Sequence, residues 1–188
     1  MTKSELPGSL LSALDNERYA KELPPVDQWN PDFCGDIDMR IARDGTWYYT
    51  GTPIKRPRLV KLFAGILKKE GDQYFLVTPV EKMGIKVDDA PFVAISLDVS
   101  IRDDVQFLTF ETNVGDKVTV DREHPITVLF NEKTQEPAPY VTVRRDLKAR
   151  ISRNVFYQLI DLGEESTVGQ LTRLIVRSSQ EEYVIGSY

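Results

Sequence analysis

Between residues 73 and 145 the chain runs through QYFLVTP, MGIKV, APFVAISLDVSI, DVQFLTFET, DKVTVD, PITVLFNE and PAPYVTVRR. In each, apolar and polar residues tend to alternate. A strand points successive side chains to opposite faces, so this alternation marks half-buried strands. Spacing of about ten residues between them predicts an antiparallel meander or small barrel. No helical segments interleave with these strands, so a doubly wound parallel sheet is not expected.

Upstream, DIDMRIAR places Ile37, Met39 and Ile41 against Asp36, Asp38 and Arg40, the same period. Asp44-Gly45 is a hairpin signal, and TWYYTG is the returning strand. Pro57 suits the first turn of a helix because its φ is fixed and it has no N–H to leave unpaired. Leu59, Leu62, Phe63, Ile66 and Leu67 then fall at helical spacing, predicting an amphipathic helix that runs to a left-handed cap at Gly71. NVFYQLIDL predicts a second helix capped by Gly163, and LTRLIVRSS with EEYVIGSY a closing hairpin. SLLSALDNERYA, residues 9–20, reads as a short helix, and the proline-rich ELPPVDQWNPDF as an extended arm pinned by Trp29 and Phe33. The expected class is α+β, mostly antiparallel sheet.

Among 188 residues 41% are hydrophobic, enough for a sizeable core, and the net charge of −5 disfavours nucleic acid and anionic membrane as partners. The single cysteine, Cys34, allows no internal disulfide, which suits a reducing, cytoplasmic setting. No stretch approaches the roughly 20 apolar residues of a membrane span. His124 is the only histidine, so no His-based zinc site can be assembled. A Cys34–His124 dyad, or a serine with His124, has no local signature, and G-x-S-x-G and Walker patterns are absent. No catalytic residue and no cofactor is assigned.

Two stretches share a rhythm. DGTWYYTGTPI and VGDKVTVDREHPI both read as turn, strand and Pro-Ile. Tyr74, Val77, Lys82 and Ile85 align with Tyr140, Val143, Lys148 and Ile151 at one constant offset. The pattern is consistent with a duplication, and also with chance likeness among short apolar runs. As a duplication it predicts an arm over 1–29, a first α+β domain over 30–94 and a second, barrel-like domain with a closing helix over 95–188. The cleft between two such halves is a favoured binding place.

Positive charge collects in two runs. From Gly51 to Lys69 stand Lys55, Arg56, Arg58, Lys61, Lys68 and Lys69, with no acid among them. Helix starts stabilise anions, and Thr52 adds a hydroxyl, so this turn is either a phosphate clamp or an ordinary solvated helix face. The second run, VRRDLKARISR, carries Arg144, Arg145, Lys148, Arg150 and Arg153. Guanidinium forks there suit phosphate oxygens, or pair with nearby acids at the surface. Among acids, Asp88-Asp89 reads first as a turn; with Glu81 it is also a candidate oxygen set for magnesium.

The combination of GTPIKRPRLVKLF, YFLVTPVEKMGIKVDDAPF and YVTVRRDLKARISRNVFY resembles a bacterial family of uncharacterised proteins, domain of unknown function 1285. The likeness spans roughly residues 24 to 188. It implies two similar small domains, the second pleckstrin-homology-like, a ligand of nucleotide type and a signalling role. Gly51, Thr52, Pro53, Arg56 and Lys61 match its first motif, Glu81, Lys82, Asp88 and Asp89 the second, and Arg144, Arg150 and Arg153 the third; of these all but Gly51 and Pro53 are the candidate ligand-binding residues. The functional expectation is a non-catalytic protein that binds a phosphate-bearing small molecule. The alternatives are a magnesium-dependent phosphate-ester hydrolase and an adaptor for a protein partner.

Overall fold

The computed structural model describes residue 8, residues 23–134 and residues 136–188. The helix expected over 9–20 lies outside them. The chain forms two compact units, Met1–Pro91 and Phe92–Tyr188, and the boundary drawn from sequence at 94/95 falls inside a strand of the second.

In the first unit the strands are β1 (Phe33–Ile41), β2 (Trp47–Tyr49), β3 (Thr52–Pro53), β4 (Leu67–Glu70), β5 (Gln73–Val77) and β6 (Lys82–Val87), with helix α1 (Pro57–Gly65) between β3 and β4. They form a six-stranded sheet in the order β3-β2-β1-β6-β5-β4. Neighbours are antiparallel except β1 and β6, which run parallel. The β1–β2 turn is set by Gly45 at φ 86° and by the Asp44 carboxylate, which accepts the Thr46 N–H at 2.9 Å. The alternation in β1 buries Met39 and Ile41, and Trp47 stacks on Phe63 with centroids 6.1 Å apart.

Helix α1 is shorter than the apolar spacing predicts. It stops at Gly65; Ile66, its C-cap, and Leu67, the first residue of β4, are both fully buried. Leu67 pairs with Leu76 on β5, so its side chain reaches the core from a strand rather than a helix. Lys68 and Lys69 accordingly belong to β4 and not to the helix face, and Gly65, the last helical residue, is buried with Pro24 beside it. Gly71 caps no helix: at φ 59° it turns the β4–β5 hairpin. The arm contains a short 3-10 helix, Val26–Gln28, that buries Val26.

The second unit contains β7 (Phe92–Arg102), β8 (Val105–Thr112), β9 (Lys117–Thr119), β10 (Ile126–Phe130), β11 (Pro137–Arg144), β12 (Leu147–Ile151), helix α2 (Arg153–Asp161), β13 (Glu164–Val168), β14 (Leu171–Ser178) and β15 (Glu181–Ser187). Its six-stranded sheet is ordered β10-β11-β12-β7-β8-β9, and β13-β14-β15 form a separate three-stranded sheet. Strands β12 and β7 are parallel. Ser178 joins the two sheets: fully buried, it donates to the Val120 carbonyl at 2.7 Å and accepts the Leu108 N–H at 3.0 Å. The sequence reading missed β12 as a strand, because the run holding it was read for its charge, and it missed β13.

Both six-stranded sheets follow one plan. Two three-stranded meanders lie side by side, joined by a parallel pairing of the first strand with the last. The offset that aligns Tyr74 and Ile85 with Tyr140 and Ile151 places β5–β6 on β11–β12, corresponding positions in that plan. The other matched stretch is one strand out of step. DGTWYYTGTPI covers the β1–β2 turn, whereas VGDKVTVDREHPI covers β8–β9. What these share is a turn: Gly45 N–H donates to Ala42 O and Gly115 N–H to Thr112 O, each at 2.9 Å.

Candidate functional site

The candidate residues separate into three groups by what surrounds them. At the α1 start, Thr52, Arg56 and Lys61 are exposed, as are Lys55 and Arg58. Arg56 is the N-cap of α1 and its side chain makes no capping bond. These side chains form a basic surface and line neither of the clefts described below.

The second group, Glu81 apart, is held in ion pairs. Lys82 donates to Glu70 at 3.0 Å and lies 5.0 Å over the Phe75 ring. Hydrogen bonds from Lys82 and then Lys68 hold the Glu70 carboxyl below its ordinary value, outweighing desolvation. Asp88 faces Arg40 at 3.6 Å and Asp89 faces Arg43 at 3.3 Å. Arg144 pairs with Asp116 and lies 4.8 Å over the Phe92 ring, with only 12% of its side chain exposed. The Glu81 Oε2 is buried without a hydrogen-bond partner. Among the described residues, no three His, Cys, Asp or Glu side chains stand close enough to hold a metal ion.

Cys34 and His124 each have local partners. The exposed Cys34 thiol donates to Asp32 O at 3.4 Å in the first unit. In the second, His124 Nδ1 lies 2.9 Å from Asp121 Oδ1. Burial pushes the Asp121 carboxyl up, but hydrogen bonds from His124 and Glu123 leave it below its ordinary value.

The third group is Arg150 and Arg153, which line one cleft of about 440 Å³ within the second unit. The local sequence explains the arrangement. Strand β12 alternates, burying Leu147, Ala149 and Ile151 and leaving Lys148 and Arg150 half-buried. Ser152 then takes an extended conformation, φ −63° and ψ 154°, and starts α2 without a side-chain capping bond. Arg153 is thus the first residue of the helix, three positions from Arg150. Phe156, Tyr157 and Ile160 continue the α2 wall, Pro137 and Pro139 of β11 line the cleft as well, and Glu136 is its one carboxylate. The sequence reading named both arginines and missed the apolar wall, although Arg153, Tyr157 and Ile160 at i, i+4 and i+7 were legible as a stripe.

A cleft of about 390 Å³ in the first unit has a different chemistry. Asp36, Asp72, Tyr74 and Lys86 line it, on β1, β5, β6 and the β4–β5 turn. Gly84 lets the chain accommodate Asp36 there, since a Cβ at that position would lie 1.9 Å from Asp36 Oδ1. Burial, then Asp89 and Asp72, push the Tyr74 hydroxyl up.

Fold and site together define a two-domain, mostly β protein with a helix in each domain and a basic cleft in the second. The family model for the N-terminal domain of DUF1285, a domain of unknown function, matches residues 24–90, and the model for the C-terminal domain of the same family matches 91–185. The chain belongs to the DUF1285 family. A crystal structure of a DUF1285 family protein from Silicibacter pomeroyi DSS-3 is similar, with TM-score 0.83 and 49% identity over 96% of this chain and 96% of that one. Another, from Shewanella baltica OS155, gives TM-score 0.54 and 28% identity over 66% of this chain and 91% of that one. No curated protein matches the chain.

Proposed function

We propose that this protein binds a phosphate-bearing small molecule, without transforming it, in the cleft at the start of α2. The observation that carries this reading is the meeting of Arg150 and Arg153 on one concave surface beside the first turn of a helix. Two guanidinium groups offer forked donors to phosphate oxygens, and the helix start adds partial positive charge of the same sign. A ligand held and not turned over suits a signalling role. The setting is cytoplasmic in this reading, which rests on the single cysteine. Among the described residues, no helix is long and apolar enough to cross a membrane. The second domain as a pleckstrin-homology-like barrel belongs to the same proposal. Antiparallel meanders followed by a helix support that likeness; the parallel β7–β12 pairing is the feature it leaves unexplained.

Isothermal titration with phenyl phosphate at low salt tests the reading. The wild-type chain is expected to give saturable heat. Arg150→Ala and Arg153→Ala are each expected to weaken binding by about tenfold or more, since a hydrogen bond to a charged group contributes roughly 1.5–3 kcal/mol. Absence of heat, or equal affinity in the double variant, sinks it.

A further inference from the structure

We infer that the ligand of the α2 cleft is an amphiphile: a phosphate or carboxylate head carrying an unbranched or flat apolar body, rather than a head on a polar sugar. The inference rests on the anion reading above and goes further, to the body of the ligand. Its basis is the polarity of the cleft along α2. Arg153 stands at the first helical position, and Tyr157 and Ile160 follow it on the same stripe, with Phe156 alongside. Positive charge is therefore confined to one end, and apolar surface extends from it for about 10 Å at 1.5 Å per residue.

The β11 side is mostly apolar as well, with Glu136, the cleft's one carboxylate, just before Pro137. Pro137 and Pro139 line it, and neither has an N–H to give to a hydroxyl or a base edge. Phe130, on the neighbouring strand, pairs with Pro137 across β10–β11 and is 46% exposed. Tyr157 is 52% exposed on the helix side. Exposed aromatics beside a cleft with charge at one end are what an ion with an apolar body would cover. A ribose in this place would bring hydroxyls to the two prolines and lose its water without replacement.

The experiment is a calorimetric series on the full chain: inorganic phosphate, ethyl, butyl and hexyl phosphate, each below its micelle concentration, and adenosine 5′-monophosphate. Each added methylene is expected to tighten binding about fourfold while it remains within the cleft. Arg153→Ala should weaken the alkyl phosphates by one common factor. Tyr157→Ser, at an exposed helical position, should flatten the dependence on chain length, whereas Arg153→Ala should leave that dependence as steep as in the wild type. A flat series with Arg153-dependent phosphate binding overturns the amphiphile and leaves the anion reading standing. Tighter binding of adenosine monophosphate than of hexyl phosphate does the same in favour of a nucleotide. No binding by any compound removes both.

Discussion

The two domains arrange six strands in one order and use it differently. In the first, helix α1 joins the two meanders, and Phe63 from it fills the core against Trp47. In the second, residues 120–125 make that connection without a helix, and the helix comes after the last strand. Because α2 leaves β12 at once, it carries Arg153 close to Arg150, and the cleft they line includes both α2 and β11. Of the first domain's candidate cations, Arg56 and Lys61 stand on the open surface at α1 and Lys82 is held in an ion pair; its cleft is lined by one cation, Lys86, beside Asp36 and Asp72. The lesson is that the position of the helix, more than the number of basic residues, decides whether arginines share a concave surface.

The largest effect expected is in the first domain. Phe63→Ala should cost about 3–5 kcal/mol, because a fully buried ring leaves a cavity. Both tryptophans, Trp29 and Trp47, lie in this domain, so denaturant unfolding followed by tryptophan fluorescence reads it directly. A loss below about 1 kcal/mol would mean that α1 is not integral to this core.

Next is the contrast between ion pairs. Arg144→Ala should cost roughly 3 kcal/mol, since it leaves Asp116 partly buried without its cation. Lys82→Ala should cost under about 1 kcal/mol, because Glu70 is more exposed. Equal costs by chemical denaturation would break the distinction. Between these lies Ser178→Ala, at about 1–3 kcal/mol, which removes the acceptor of the Leu108 N–H and the donor to Val120 O.

The smallest effect concerns acid. Hydrogen bonds from Lys82 and Lys68 hold the folded Glu70 carboxyl below its ordinary value of 4.5. A depressed folded value means that the contribution is complete above the unfolded value and lost as pH falls through the folded one. Glu70→Gln should therefore make stability slightly less pH-dependent below about pH 4.5. A steeper acid limb in the variant would contradict this account of the pair.

Much of the sheet was legible because alternation is a local signal: DIDMRIAR became β1, and QYFLV became β5. The end of α1 was not legible. Ile66 and Leu67 fit helical spacing and also a strand, and the contact that decides, Leu67 with Leu76, forms across a hairpin. The candidate site was readable in the same measure. Charge picked out Arg150 and Arg153 along with Lys82 and Arg144. Only the folded chain shows Glu70 and Asp116 beside the latter two. The parallel pairings were out of reach for the same reason: β1 meets β6 and β12 meets β7 through contacts with no signature within either strand.

The most direct test of the account is backbone amide mapping by NMR during titration with phenyl phosphate. Shifts are expected over residues 150–160, at the end of β12 and along α2, with residues 51–61 unmoved. Shifts clustered at Lys55 to Lys61, with the α2 amides unchanged, would place the anion on the first domain and contradict it.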